Sequence, residues 1–298
     1  MREHMAYVQT EYGIGPAYYM CYQAWNLSES QLARFLTQRH SNALVRKYND
    51  RASAATIARK DEFFKKYGEF TKRRFWLNRG TSFDEFLTFV EGLDSVFCKP
   101  LRARHGSGAF IVDLPRSRDE LRSVYNDLMS RNRLIVEESI QQHALVRDFY
   151  PRSINTVRVI ALQDSEGVHV ISAPMRFGHQ GITDNFSGGG MVCDVDLDTG
   201  RILTAAIDKT GTVYESHPYS GKPFIGFQVP HWDQVVDIAV NAMSMQSDVN
   251  YIGWDVAIQP EGACIVEGNS ETGLALVQAP YAPSGSGRKH LVEPFLES

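Results

Sequence analysis

The 298-residue sequence predicts an α+β fold with three regions. A polar, mainly helical stretch covers residues 1–93, a small α+β unit covers 94–150, and an antiparallel sheet with packed helices covers 151–298. Three observations carry this reading. Helical spacing dominates up to residue 93. From Ser95, short apolar runs alternate with glycine-bearing turns. From Asn155, strand-length runs recur, separated by hairpin-type connections such as Asp198-Thr199-Gly200.

The elements follow in order. Ser82-Phe83-Asp84-Glu85 is a capping box that opens a helix with Phe83, Phe86, Leu87 and Val90 on one face. A strand over 96–99, the loop Arg104-His105-Gly106-Ser107-Gly108 and a strand over 109–114 come next. Ser117 and Glu120 cap a second helix whose apolar stripe is Leu121, Val124, Tyr125 and Leu128, and a strand over 134–137 follows. This hairpin and helix are expected to move as a lid. Further strands are expected at 156–162, 168–173, 191–197 and 201–207. A helix after His231-Trp232 carries Val235, Ile238, Ala239 and Ala242, and a hairpin over 252–268 turns at Gln259-Pro260-Glu261-Gly262.

Composition narrows the function. Thirty-one basic residues against 35 acidic ones leave a formal charge of -4, with no basic stripe or block, so neither nucleic acid nor a membrane surface is an expected partner. No run of about 18 apolar residues is present to span a bilayer. The N-terminus lacks the apolar segment of a secretion signal. Cys21, Cys98, Cys193 and Cys264 form no C-x-x-C pair and read as buried thiols, so a cytoplasmic location is expected. Oligomeric state is not legible. His105, His143, His179 and His231 lack zinc-site spacing, and no nucleophile elbow is present.

The chemistry lies in a few polar groups at strand ends. The 252–268 hairpin places Asp255, Glu267 and Asn269 on adjacent strands, with Glu267 and Asn269 two residues apart on one face. Such oxygen donors suit magnesium bound with substrate phosphates, although solvated acidic strand ends have the same pattern. Lys99 ends a strand just before Arg104, Gly106, Ser107 and Gly108, where glycines let backbone N–H groups approach a polyphosphate; a plain hairpin turn is the other reading. Glu137 and Glu138 close an apolar strand and would meet ribose hydroxyls or solvent. Arg158 and Arg176 sit in apolar, β-rich segments, where each needs an anion, either a phosphate or a core carboxylate. Thr183 to Gly190, with Asp184 and Asn185, holds more glycine than a turn needs and is expected to face a bound ligand; plain hairpin geometry is the other reading.

Taken in order, Phe97-Cys98-Lys99-Pro100, the Gly106–Gly108 loop, Val136-Glu137-Glu138, Asn155-Thr156-Val157-Arg158, Asp184-Asn185 with Gly188-Gly189, Gly253-Trp254-Asp255 and Glu267-Gly268-Asn269 resemble the ATP-grasp superfamily. More narrowly, the set is similar to the sugar-transfer-associated ATP-grasp family over about residues 55–280. The resemblance implies an ATP-grasp fold, with ATP gripped between a small lid and an antiparallel sheet. It implies that Lys99 contacts ATP phosphates, that Glu137 or Glu138 lies at the adenine–ribose hinge, that Asp255, Glu267 and Asn269 hold Mg2+, and that Arg158 aids the transferring phosphoryl group. Arg176 is expected to help neutralise the phosphates. Lys60, in Ala58-Arg59-Lys60-Asp61, is the nearest counterpart of the family's earlier nucleotide lysine, with the order of acid and lysine altered. The implied reaction joins a carboxylate and an amine through an acyl phosphate, releasing ADP and phosphate. An amino acid, a sugar acid or an amino sugar would suit as substrates, in cell-surface polysaccharide modification or specialised metabolism. A small-molecule or sugar kinase and a non-catalytic nucleotide-binding protein of a polysaccharide assembly system remain alternatives.

Overall fold

A computed structural model describes residues 1–101, 108–245 and 247–297. The chain forms two compact units: Arg59–Gln141 is one, and Met1–Ala58 together with Gln142–Ser298 is the other.

The smaller unit is a four-stranded antiparallel sheet: β1 (Phe75–Leu77), β2 (Ser95–Pro100), β3 (Phe110–Asp113) and β4 (Leu134–Glu138), in the order β1-β4-β2-β3. Period-2 alternation divides its side chains. Trp76, Val96, Cys98 and Val136 face the helices Phe83–Val90 and Arg118–Ser130, burying Phe86 and Leu128 in one apolar cluster. Both helices start as the sequence requires. Ser82 and Glu85 make both capping-box bonds, and Ser117 accepts from the Glu120 N–H. On the sheet's other face, Phe64 from the helix Lys60–Thr71 packs on Phe75, with ring centroids 4.9 Å apart.

The expected regions therefore divide elsewhere. Phe75–Leu77 is a strand rather than part of a helical region, because it pairs with β4 through Phe75–Glu137, Trp76–Val136 and Leu77–Ile135. That pairing and the packing of the Ser82-capped helix attach residues 59–93 to the smaller unit, so the structure has no boundary at 93/94 or 150/151.

The larger unit is an eight-stranded antiparallel sheet of β5 (Thr156–Asp164), β6 (Gly167–Ser172), β7 (Met175–Phe177), β8 (Met191–Cys193), β9 (Ala206–Asp208), β10 (Val213–Tyr214), β11 (Tyr251–Gln259) and β12 (Gly262–Asn269). The order is β10-β9-β8-β7-β5-β11-β12, with β6 also paired to β5. The helix Trp232–Ser244 packs on β5, β6, β11 and β12. Residues 1–58 complete the core: Val8, Tyr19, Tyr22 and Phe35 share a buried cluster with Val192, Ile207, Leu276 and Ala279.

Two expected strands are shorter than their apolar runs. The 191–197 and 201–207 segments pair regularly only at Met191–Cys193 and Ala206–Asp208, joined further along by a lone Val195–Ile202 bridge. Irregular backbone bonds continue there, from the Asp196 N–H to the Arg201 carbonyl and from the Leu203 N–H to the Asp194 carbonyl, both at 2.9 Å, and side chains add to them. Thr204 Oγ1 accepts from the Asp194 N–H at 3.0 Å, and Asp196 Oδ1 takes the Thr199 N–H at 2.8 Å to close the turn.

Candidate active site

The register of the larger sheet builds the first cluster. Arg158 on β5 lies opposite Asp255 on β11, and Asp255 lies opposite Glu267 on β12, while Gly253 faces Asn269. Directly opposed residues project to the same side, so Asp255, Glu267 and Asn269 all share one face with Arg158. The hairpin alone left the side of Asp255 relative to the other two unassigned. Cross-strand register settles it, with a bulge at Asp255/Val256.

Asp255 is 2% exposed and fully engaged. Arg158 donates from Nε to Oδ1 and from Nη2 to Oδ2, the latter at 2.9 Å, and Arg176 Nη2 approaches Oδ2 at 2.9 Å. Arg158 Nη1 also donates to Thr272 Oγ1 at 3.3 Å. Gly253 makes room for this arrangement, because a Cβ there would lie 2.8 Å from Arg158 Cδ and 2.3 Å from Thr272 Oγ1. Arg176 continues the network to Thr156 Oγ1 through Nε at 3.1 Å, and to Asp184 at 3.4 Å. Asp184 in turn accepts from the Thr156 N–H and hydroxyl at 2.9 and 2.6 Å.

The two buried carboxyls respond oppositely. Burial raises the pKa of Asp255, but Arg158 and Arg176 outweigh it and hold the carboxyl below its ordinary value. Burial prevails at Asp184, whose pKa is raised despite Arg176 and Thr156. Burial opposes the charge of Arg176, yet Asp184, Asp255 and Glu267 raise its pKa further above the usual arginine value.

The second cluster belongs to the smaller unit. Lys99 on β2 is ion-paired with Glu137 Oε1, and Arg73 donates to Oε2 from Nε at 3.1 Å and from Nη2 at 2.9 Å. Burial raises the Glu137 pKa, but Lys99 and Arg73 outweigh it and lower it overall. Glu138 is more open and accepts from the Arg74 N–H and Nε at 3.2 and 3.4 Å. Lys60 Nζ donates to the Pro100 carbonyl at 3.1 Å. Gly108 takes the left-handed φ of +74° expected of a glycine turn. Arg104, His105, Gly106 and Ser107 lie outside the described residues.

The structure thus brings Arg158, Arg176, Asp184 and Asp255 into one network, with Glu267 and Asn269 on the same face, and it separately joins Lys99 to Glu137. Asn185 acts through its carbonyl, which accepts from the Gly188 and Gly190 N–H groups at 2.9 Å. Arg73, Thr156 and Thr272 are members that sequence reasoning missed. Thr156 was within reach, since it stands two residues before Arg158 on the same strand face.

The donor set of Asp255, Glu267 and Asn269 is all oxygen and suits a hard cation. Asn269 Nδ2 donates to the Gly253 carbonyl at 3.4 Å, which leaves Oδ1 as the end available to a metal. Among the described residues no group of three His, Cys, Asp or Glu is placed to hold a metal ion; this set has two carboxylates and one amide.

The protein is of the ATP-grasp class. The chain belongs to the sugar-transfer associated ATP-grasp family, which it matches over residues 39–293. No curated protein matches it. Similar solved structures include the ATP-grasp ligase PsnB complexed with a minimal precursor (15% identity, 78% of this chain and 59% of that one, TM-score 0.46). D-alanine–D-alanine ligase from Bacillus anthracis is also similar (12%, 84% and 69%, TM-score 0.49), as is D-alanyl-alanine synthetase A from Vibrio cholerae O1 (12%, 82% and 65%, TM-score 0.47). The chain spans about three fifths of the PsnB chain's length. No helix among the described residues is long and apolar enough to cross a membrane.

Proposed function

We propose that the protein is an ATP-dependent carboxylate–amine ligase. The observation that carries this reading is the row of Arg158, Asp255 and Glu267 on three adjacent strands, with Arg176 on Asp255. It sets cations and hard oxygen donors on one face, and phosphoryl transfer depends chiefly on positioning and charge neutralisation.

Lys99 is assigned to the nucleotide phosphates, and Lys60, Gly108 and either Glu137 or Glu138 to nucleotide binding. Asp184 and Asn185 are assigned to the nucleotide site, Asp184 held by its bonds from Thr156 and Asn185 by those its carbonyl accepts from Gly188 and Gly190. Asp255, Glu267 and Asn269 would hold Mg2+, which supplies neutralisation of phosphate charge when bound. Arg158 and Arg176, held in fixed orientation by Asp255, stabilise the transferring phosphoryl group. A carboxylate oxygen of the substrate bonds to the γ-phosphorus as the bridging P–O bond breaks, and ADP leaves with the electron pair. The amine nitrogen then bonds to the acyl carbon, the C–O bond to phosphate breaks, and the amine proton passes to water or to a substrate group. The substrates are small: an amino acid with a sugar acid or amino sugar fits a family associated with sugar transfer.

The test is an ADP-release screen over carboxylate and amine pairs, with mass spectrometry of each hit. A product weighing acid plus amine minus water is expected, and Lys99→Ala should lower turnover by about 100-fold. A product that has gained phosphate would make the protein a kinase, and nucleotide binding without ADP release under any pair would make it non-catalytic.

A further inference from the structure

Thr156 stands at the centre of the buried network, yet the function proposed above gives it no part. It opens β5 at 3% exposure, two residues before Arg158 on the same face. Its N–H and its hydroxyl both donate to Asp184 Oδ2, at 2.9 and 2.6 Å, while its Oγ1 accepts from Arg176 Nε at 3.1 Å and from Nη2 at 2.5 Å.

The polarity of these bonds is fixed. A guanidinium only donates and an ionised carboxylate only accepts, so the hydroxyl proton belongs to Asp184 and the lone pairs of the oxygen belong to Arg176. Asp184 Oδ2 is thereby filled from Thr156, and Arg176 comes no nearer to this carboxylate than Oδ1 at 3.4 Å. Nε and Nη2 of Arg176 are spent on Thr156 and, through Nη2, on Asp255 Oδ2 at 2.9 Å. Nη1 donates to none of the described residues, although the side chain is only 5% exposed. A buried guanidinium end with its N–H donors unspent calls for an anion.

We propose that Thr156 is a positioning residue for phosphoryl recognition: its hydroxyl keeps Arg176 from closing onto Asp184 and so leaves Nη1 for the terminal phosphate of the nucleotide. The inference rests on the ATP reading and goes beyond it in naming the atom that meets the phosphate and the hydroxyl that frees it. Without that hydroxyl, Asp184 Oδ2 opens to the guanidinium and the two charges pair directly.

The test compares AMPPNP with ADP, each with magnesium, by calorimetric titration of the full chain, because only AMPPNP carries the terminal phosphate. Thr156→Val removes the hydroxyl at nearly constant shape and is expected to lower the ratio of AMPPNP to ADP affinity about tenfold, the worth of one charge-assisted hydrogen bond. Thr156→Ser keeps the hydroxyl and should bring the ratio back to within about threefold of wild type. A packing defect weakens both nucleotides together and leaves the ratio where it was, so the ratio separates positioning from structure. Circular dichroism checks folding; if Thr156→Val does not fold, Thr156→Ala runs the same comparison. An unchanged ratio in the variant that lacks the hydroxyl, or an equal fall in Thr156→Ser, overturns the inference and leaves the ATP reading intact. A wild-type chain that binds neither nucleotide overturns both.

Discussion

Asp255 accepts from Arg158 through both oxygens and lies against Arg176 through Oδ2, so Asp255→Asn leaves two buried guanidinia without their shared anion. Breaking such a cluster from one side costs about 3–5 kcal/mol, to be read as a lowered midpoint in urea denaturation. The variant should also lose a pH slope. The folded pKa of Asp255 is depressed, so its stabilisation is fully present above the unfolded value near 3.8 and fades as pH falls through the lower folded value. Wild type should converge on the variant in that acid window. Asp184 runs the other way: its raised pKa favours the fold at low pH, and that contribution is lost as pH rises through the folded value. The polar ends of the two apolar runs marked Asp255, Glu267 and Asn269 in the sequence, but the bulge at Asp255/Val256 that sets Asp255 opposite Glu267 left no sequence signal. Arg73 went unmarked. Lys72 ends its helix in the left-handed region at φ 49°, an unusual conformation for a lysine, and the redirected chain puts Arg73 on Glu137 and Arg74 on Glu138. Nothing in Thr71-Lys72-Arg73-Arg74 marks which basic residue turns inward.

At the scale of elements, the glycine-rich connection between β7 and β8 separates need from tolerance. A Cβ on Gly190 would lie 2.2 Å from the Asp184 carbonyl oxygen, a backbone atom that no side-chain rotation relieves. At Gly188 the nearest atom to a Cβ is Asn185 Cβ at 3.6 Å, an ordinary contact. Gly190→Ala should therefore cost about 1–3 kcal/mol by forcing Asp184 off Thr156, while Gly188→Ala should stay within about 0.5 kcal/mol; paired thermal melts compare them. Equal loss at both positions would contradict this account. From its glycine count the sequence offered two readings of the stretch, a ligand-facing loop and plain hairpin geometry. The structure shows that Gly190 is required by close approach to Asp184. Period-2 patterns located most strands, but three-residue strands such as β1 and β7 carry too few residues for a period to show.

At the scale of the molecule, the family match begins at residue 39, yet the core does not. Val8, Ile14, Tyr19, Tyr22, Leu32 and Phe35 pack with Val192, Ile207, Leu276 and Ala279, and Leu36 donates its N–H to the buried Gln278 side chain at 3.0 Å. Deleting residues 1–38 should expose that apolar face, seen as dye binding by the folded remainder and loss of soluble protein. A soluble, cooperatively melting truncation would refute it. This long-range closure was hidden from sequence reasoning because its pairings span most of the chain: Asn49 bonds the Tyr251 and Ser270 carbonyls at 2.8 and 2.7 Å, and no local pattern announces such partners. The interrupted larger unit also sets an order of events during synthesis. Arg59–Gln141 is continuous and has all its strand partners once it leaves the ribosome, whereas residues 1–58 must wait for segments translated last. At roughly 5–20 residues per second that wait is on the order of ten seconds or more. For that interval the nascent chain carries Tyr19, Tyr22 and Phe35 without their partners Val192, Ile207, Leu276 and Ala279, and chaperone access there precedes closure of the core.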